Sequence, residues 1–317
     1  MRAATIRDRE IVIADHPDPS PGAGEVLVRV RGAGLNSADQ MQVLGHYPPP
    51  PGLGAPADIP GLELAGEVAE VGPNATRFSP GDRVMAVVAG GGQAELAVVH
   101  QRQLMPVPEG LGWPGAGGFP EAFMTAYDAI FGQGALQAGE TLLVHGAAGG
   151  VGTAAVQLGA AAGARVVATV RNPGNRDAVA ALGADQVVGA EGFAEHGPFD
   201  VIIELVGAGN LADNVRSLAT GGRIVVIGVG AGASSELDLR ALMIKRGRIS
   251  ASMLRARPLE EKAILARQLE NRVLPMVTAG RIRVPVAAIV GLDEAAKAYD
   301  LFRAGGKLGK IVLTPAG

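Results

Sequence analysis

The residues best placed for chemistry form a glycine-rich run, His145-Gly-Ala-Ala-Gly-Gly-Val-Gly152, set between the apolar stretch TLLV and the Ala-rich stretch TAAVQLGAAAG. A strand before such a run and a helix after it is the setting in which free backbone N–H groups and the helix dipole hold an anion, above all the pyrophosphate of a dinucleotide. The run is not a literal G-x-G-x-x-G, but the physical logic survives. Gly149 and Gly150 permit a tight turn with close backbone approach, Gly152 lets helix and strand pack closely, and Ala148 and Val151 complete the expected contact set. About 20 residues further on, an NAD site offers an acid to the ribose. Here the chain reads Thr169-Val170-Arg171-Asn172. Arg171, with Asn172 and Arg176, suits a 2′-phosphate through charge-assisted hydrogen bonds, so NADPH is the expected dinucleotide. The plainer reading of Arg171 is a surface arginine at a strand end.

The elements that must position these residues follow from length and texture. With 317 residues, the chain is about twice the usual domain size, and two domains with the chemistry in a shared cleft are expected. From the start to residue 121, short β-rich runs (Val26 to Val30, Glu67 to Val71, Arg83 to Val88, Ala94 to Val99) alternate with Gly/Pro clusters, which reads as a compact, irregular β domain. Over 122–257, apolar strand-like runs (TLLVHGA, RVVATVR, QVVGA, FDVIIELVG, RIVVIGV) alternate with helical stretches. That pattern implies a parallel sheet covered on both faces. Over 258–317, a helix opened by Pro258 and stopped or kinked by Pro275 precedes a strand (VPVAAIV), a helix opened by Asp293 and a last strand (GKIVLTP), expected to rejoin the first β domain. The fold class is α/β, a doubly wound sheet inserted into a β-barrel-like domain.

Composition excludes several functions. The net charge is −3 and no basic stripe is present, which argues against a nucleic-acid partner. The absence of cysteine rules out disulfides, a thiolate nucleophile and any Cys-ligated metal. The first residues, MRAATIRDRE, are charged and no apolar run approaches a membrane span, so a cytoplasmic location is expected. The five histidines form no constellation; His46 reads as an exposed loop residue, and Ser37 has no His/Asp partnership that would make it a nucleophile.

Taken in order, GAGLNSADQMQVLGHYPPPPG, PGLELAGEVAEVG, FSPGDRVMA, FPEAFMTAYDA, HGAAGGVGTAAVQL and GKIVL resemble the quinone oxidoreductase branch of the medium-chain dehydrogenase/reductase superfamily almost end to end. GGGQAELAVV and ALMIKRGRISASMLRAR are most similar to the sub-branch of the tumour-suppressor-inducible quinone oxidoreductase. The resemblance implies a Rossmann domain inserted into a GroES-like β-barrel catalytic domain, and a homodimer joined through the RISASML sheet edge. Zinc-dependent relatives ligate metal with Cys, His and Cys; the matching positions here are Asn36, Leu62 and Glu121, and the four-cysteine structural lobe is missing, so no metal is expected. Without a Lewis acid, electron-poor acceptors are the easiest to reduce: quinones first, α,β-unsaturated aldehydes and ketones as the rival. A third reading is an NADPH-binding protein with little turnover.

The same resemblance places Asn36 and Tyr47 in the acceptor pocket, where they could hydrogen-bond a developing oxyanion. It adds Thr125, Gly228 and Lys310 as cofactor contacts. Relatives often carry a lysine and a tyrosine at the 2′-phosphate, where this chain has RNPGNR and VVGAEG; Arg171 and Arg176 stand in for the lysine, and the tyrosine is lost. Plainer roles stand beside these: a turn residue for Asn36, a tyrosine wedged among prolines for Tyr47, a helix-start residue for Asp39 and a carboxylate favoured by the helix dipole for Glu121.

Overall fold

The computed structural model describes residues 1–52, 54 and 56–315. The chain divides into two compact units, Met1–Met124 with Leu254–Gly305 and Lys310–Gly317, and Thr125–Met253 with Gly306–Gly309. Sequence texture assigned all of 258–317 to the first unit. Gly306–Gly309 instead belongs to the second, because the Gly309 N–H donates to the Ala148 carbonyl (2.8 Å) and Gly309 forms a parallel bridge with Gly149.

The first unit opens with an antiparallel hairpin of β1 (Arg2–Arg7) and β2 (Glu10–Asp15). Then come β3 (Glu25–Gly34), α1 (Ser37–Val43), β4 (Glu63–Val71), β5 (Arg83–Val87), β6 (Leu96–His100), β7 (Met105–Pro106), α2 (Trp113–Gly117) and α3 (Pro120–Tyr127), which belongs to the second unit from Thr125 onward. Alternation along β3 turns Val26, Val28 and Val30 into a core shared with Leu64, Val68, Val84 and Val99. Strand β4 starts at Glu63, earlier than the Glu67 read from the sequence. Leu64 and Ala65 are fully buried and paired with Ala86 and Met85, so pairing continues back to Glu63.

The second unit contains β8 (Thr141–Val144), α4 (Gly150–Ala161), β9 (Arg165–Thr169), α5 (Arg176–Ala180), β10 (Gln186–Val188), β11 (Phe199–Glu204), α6 (Leu211–Ser217), β12 (Leu218–Val226), α7 (Leu239–Lys245) and β13 (Arg248–Ala251). Its six strands are all parallel, in the order β10-β9-β8-β11-β12-β13. The order reverses between β8 and β11, the point at which doubly wound sheets bind ligands beyond the carboxyl ends of their strands. Leu143, Val167, Ile202 and Ile224 fill the layer beneath the helices, which explains the unbroken apolar runs.

The chain returns to the first unit through α8 (Leu259–Arg272), with Pro258 as its N-cap, and α9 (Leu274–Thr278), whose first turn holds Pro275. Proline lacks the N–H needed to continue α8, so the helix ends there. Last come β14 (Val286–Gly291), α10 (Ala295–Ala304) and β15 (Lys310–Thr314). The resulting sheet runs β14-β15-β3-β4-β5-β7, with β6 also on β3. Among the described residues no helix is long and apolar enough to cross a membrane.

Candidate functional site

The polar centre of the first unit begins at the corner from β3 into α1. Asn36 is the N-cap of α1, with extended backbone. Asp39, at the third helical position, accepts the Asn36 N–H (2.8 Å) and the Gly61 N–H (3.0 Å), so it is the helix-start residue the sequence suggested and also ties α1 to the entry of β4. Burial raises the Asp39 carboxyl to about 6, against the pull of those two amides and of Lys310.

Glu63 is the hub. It is fully buried; Oε1 accepts from Asn36 Nδ2 (2.9 Å) and pairs with Lys310 Nζ (2.6 Å), while Oε2 accepts the Glu121 backbone N–H (2.8 Å). Lys310 also donates to Leu35 O (2.8 Å) and Asn36 Oδ1 (2.6 Å). Two expectations are corrected by this geometry. The Lys310 ammonium faces three oxygens inside its own unit, and burial among them removes it from the role of cofactor contact. The Asn36 amide is engaged at both ends, so it orients Glu63 and Lys310 instead of presenting a free donor to an acceptor.

Tyr47 is fixed from behind by Arg255, only 2% exposed. The guanidinium donates to Ala89 O (2.7 Å), Tyr47 O (2.8 Å) and Gln42 Oε1 (2.6 Å), and lies 5.2 Å from the centre of the Tyr47 ring. Lys262 on α8 donates to Arg255 O (2.8 Å). Burial raises the Tyr47 phenol above its ordinary value and Glu121 raises it further, so it stays protonated and able to donate. Glu121 opens α3; burial, and next the Glu63 charge, push its carboxyl to about 8. Glu63 and Arg255 escaped the sequence reading. The signal for Glu63 was its place beside Leu62 in GLELAG, a carboxylate amid residues that all became buried.

In the second unit the turn after β8 takes its left-handed residue from Gly146 (φ +61°), not from Gly149, whose φ of −75° any residue adopts. Gly152 is required by space. A Cβ there would lie 2.4 Å from Gly146 O and 2.6 Å from Ala147 Cα, both immovable backbone. Ala148, Gly149, Gly150 and Val151 form the partly exposed entry to α4, whose first N–H groups have no intrahelical acceptor and suit a pyrophosphate. At the end of β9, Arg171 and Asn172 are exposed, and Asn172 caps the next turn by accepting the Gly174 N–H (3.1 Å). Arg176 opens α5 and its guanidinium lies 3.6 Å from the Cβ position of Gly189, in the VVGAEG loop itself. Thr125 is buried on α3, and Gly228 follows β12 where a Cβ would meet Leu205 O at 2.5 Å. A buried relay missed in the sequence runs from His145 Nε2 to Asn214 Oδ1 (2.8 Å) and from Asn214 Nδ2 to Glu204 (2.9 Å); burial lowers the imidazole below its usual value.

Residues 22–131 match the family described as the alcohol dehydrogenase GroES-like domain and residues 150–270 the zinc-binding dehydrogenase family. The quinone oxidoreductase of Rattus norvegicus is 30% identical over 93% of this chain and 90% of its own length. The chain belongs to the quinone oxidoreductase branch of the medium-chain dehydrogenase/reductase superfamily. Within that branch, its first unit is the GroES-like catalytic domain and its second the Rossmann domain. The acryloyl-coenzyme A reductase of Metallosphaera sedula is 32% identical over 99% of this chain and 100% of its own length. The chain also matches a polyketide synthase system protein of Streptomyces orinoci, 33% identical over 96% of this chain but only 14% of that protein. Among solved structures, a mycobacterial relative complexed with NADPH superposes with TM-score 0.87 (26% identity, 99% of this chain, 100% of that chain). A thermostable alcohol dehydrogenase from Pyrobaculum aerophilum superposes with TM-score 0.85 (28% identity, 99% of each). Zinc, named in one family's description, does not fit these residues: Leu62 is a buried hydrocarbon and the Asn36 amide is engaged with Glu63 and Lys310. Among the described residues no cluster of three or more His, Asp or Glu is set to hold a metal ion.

Proposed function

We propose that this medium-chain oxidoreductase transfers hydride from NADPH to a quinone without a metal. The observation that carries the reading is the substitution of an oxygen-polarising metal set by a protonated, Arg255-braced phenol at Tyr47, Arg255 itself being tied through Gln42 to α1, whose first turn carries the Asn36–Glu63–Lys310 network. The dihydronicotinamide supplies the hydride. Tyr47 donates a hydrogen bond to the acceptor oxygen as negative charge grows on it, and Asn36 and Lys310 hold Glu63 and the α1 corner in place. In the Rossmann domain, the entry of α4 from Ala148 to Gly152 cradles the pyrophosphate. Arg171 and Arg176 take the 2′-phosphate, with Asn172 shaping their turn, and Thr125 and Gly228 line the nicotinamide side.

Reduction of a conjugated acyl acceptor is the second reading, favoured by the full-length likeness to the acryloyl-coenzyme A reductase. NADPH oxidation over ortho-quinones, para-quinones, enals and acryloyl-coenzyme A, with and without chelator, tests both. Turnover lost on chelation and restored by zinc overturns the metal-free mechanism, and equal use of NADH overturns the assignment of the arginines. Retained NADPH affinity with no turnover on any acceptor supports a binding protein instead.

A homodimer joined at β13 completes the proposal. This strand is one edge of the sheet, and Leu239 (65% exposed), Met243 (75%) and Ile244 (68%) on α7 and Ile249 on β13 stand exposed near it. An uncovered edge strand flanked by apolar side chains favours pairing with a second copy.

A further inference from the structure

We propose that His145, Asn214 and Glu204 are positioning residues for the dinucleotide: they hold the turn after β8 and the turn after β11 in one register and so fix where the nicotinamide comes to rest. The inference rests on the reading above, in which the entry of α4 cradles the pyrophosphate, and it concerns buried side chains that act through these turns. The sheet order reverses between β8 and β11, so the turns that leave those two strands wall the crevice where a doubly wound sheet binds its ligand. The turns already approach each other. A Cβ on Gly146 would lie 3.4 Å from Val206 Cγ2 and 3.7 Å from Leu205 Cβ.

Each hydrogen bond between the turns takes its direction from the two ends. The Gly146 N–H can only donate, and it meets Thr169 Oγ1 at 3.3 Å. At the other end Glu204 Oε1 accepts the Val206 N–H (2.7 Å) and the Gly207 N–H (2.9 Å), while Oε2 accepts from Asn210 Nδ2 (3.1 Å) and Asn214 Nδ2 (2.9 Å). With its amide nitrogen on Glu204, Asn214 turns Oδ1 to His145 Nε2 (2.8 Å), which must therefore carry the ring hydrogen. Burial holds the imidazole below its usual value, against the pull of the Glu204 charge 3.7 Å away and of the Asn214 bond. The ring is then neutral, and Nδ1 accepts the Thr169 hydroxyl (3.2 Å). Thr169, His145 and Glu204 stand one residue past the rungs Val144–Ala168 and Ile203–Val144, at the carboxyl rim of the sheet. Deeper in the same strands the layer is filled by Leu143, Val167 and Ile202. All four polar side chains of the chain of bonds are buried, and a satisfied network of this kind is stiff. The Glu204 carbonyl extends it to a third turn by accepting the Ile227 N–H (2.9 Å) and the Gly228 N–H (3.0 Å), next to the residue assigned to the nicotinamide side.

The test uses the full-length protein with Asn214→Leu, Thr169→Val and His145→Gln. Ring-nitrogen NMR of the wild type, with the His145 signals identified by their loss in His145→Gln, should show hydrogen on Nε2 and none on Nδ1 at neutral pH, and the Nε2 signal should move when NADPH is added. Calorimetry should show NADPH and NADH weakened together, about tenfold in Asn214→Leu, which cuts the relay in the middle, and about threefold in Thr169→Val, which keeps volume and strand preference and removes one link. The ratio of the two affinities should stay at its wild-type value, since no group facing the 2′-phosphate is altered. With an acceptor and saturating NADPH, kcat of Asn214→Leu should fall about tenfold because the nicotinamide is misplaced. A role confined to holding the fold would lower the melting temperature of Asn214→Leu and Thr169→Val and leave both affinities and kcat unchanged. That result overturns the proposal, as does a wild-type ring with its hydrogen on Nδ1 or an Nε2 signal that NADPH leaves in place; in each case the reading of the α4 entry stands. A wild type that binds neither dinucleotide overturns both.

Discussion

Replacing Lys310 with Met removes the cation from a pair whose side chains are 4% and 0% exposed and whose charges stand 2.6 Å apart. Methionine fills a similar volume, so the loss is electrostatic rather than a cavity. What remains around Glu63 is one amide hydrogen bond from Asn36 and one from the Glu121 backbone. Stranding a buried carboxylate in this way costs about 3–5 kcal/mol, which for a chain of this size lowers the melting temperature by roughly 10 °C. The double variant with Glu63→Gln strands no charge and should recover much of the loss, a non-additivity that a double-mutant cycle reads directly. Denaturant unfolding with an unchanged m-value gives the energies, and calorimetry below the transition gives NADPH affinity, which should stay close to wild type. If the single variant were as stable as wild type but bound NADPH poorly, Lys310 would be the cofactor contact that the family resemblance implied, and the structural assignment would be wrong.

Three further outcomes follow from the second unit. Arg171→Ala should weaken NADPH by roughly 1–2 kcal/mol and spare NADH, the smaller end reflecting an exposed side chain; equal loss for both dinucleotides in calorimetry would remove it as the discriminating residue. Gly152→Ala should cost about 1–3 kcal/mol in unfolding experiments because its Cβ meets immovable backbone. Gly149→Ala, whose Cβ comes no closer than 3.4 Å to Gly146 O, should stay within about 0.5 kcal/mol of wild type; equal losses would contradict the geometry of the turn. Met243→Lys should shift the protein towards monomer in sedimentation, and an unchanged distribution would move the interface away from this face.

The Rossmann domain was legible because its signals are local. Apolar runs, intervening helices and the glycine run each declare themselves within about 15 residues. The turn residue was misplaced within that run, at Gly149 instead of Gly146, because glycines outnumber the positions that require one. The catalytic domain was legible in outline only. Glu63 joins Asn36, Lys310 and Glu121 across separations that no periodicity records, and Arg255 reaches Gln42 from 213 residues away. Local cues suggested a turn for Asn36 and a dipole for Glu121, and the family resemblance a cofactor contact for Lys310, whereas long-range pairing gathers them into one buried network.

Strand β15 has a consequence for how the chain is made. Leu35 and Lys310 are 275 residues apart, and the Rossmann domain, nearly all of which lies within Thr125–Met253, leaves the ribosome between them. At ordinary rates of synthesis, the interval between completing α3 and releasing β15 is on the order of tens of seconds. During that time the Rossmann sheet can close, while the end of β3 near Gly34 lacks its neighbour and Glu63 lacks its cation. The nascent catalytic domain therefore spends its early life with an open strand edge and a carboxylate that must stay in water. Its centre can dry only after Lys310 has been added.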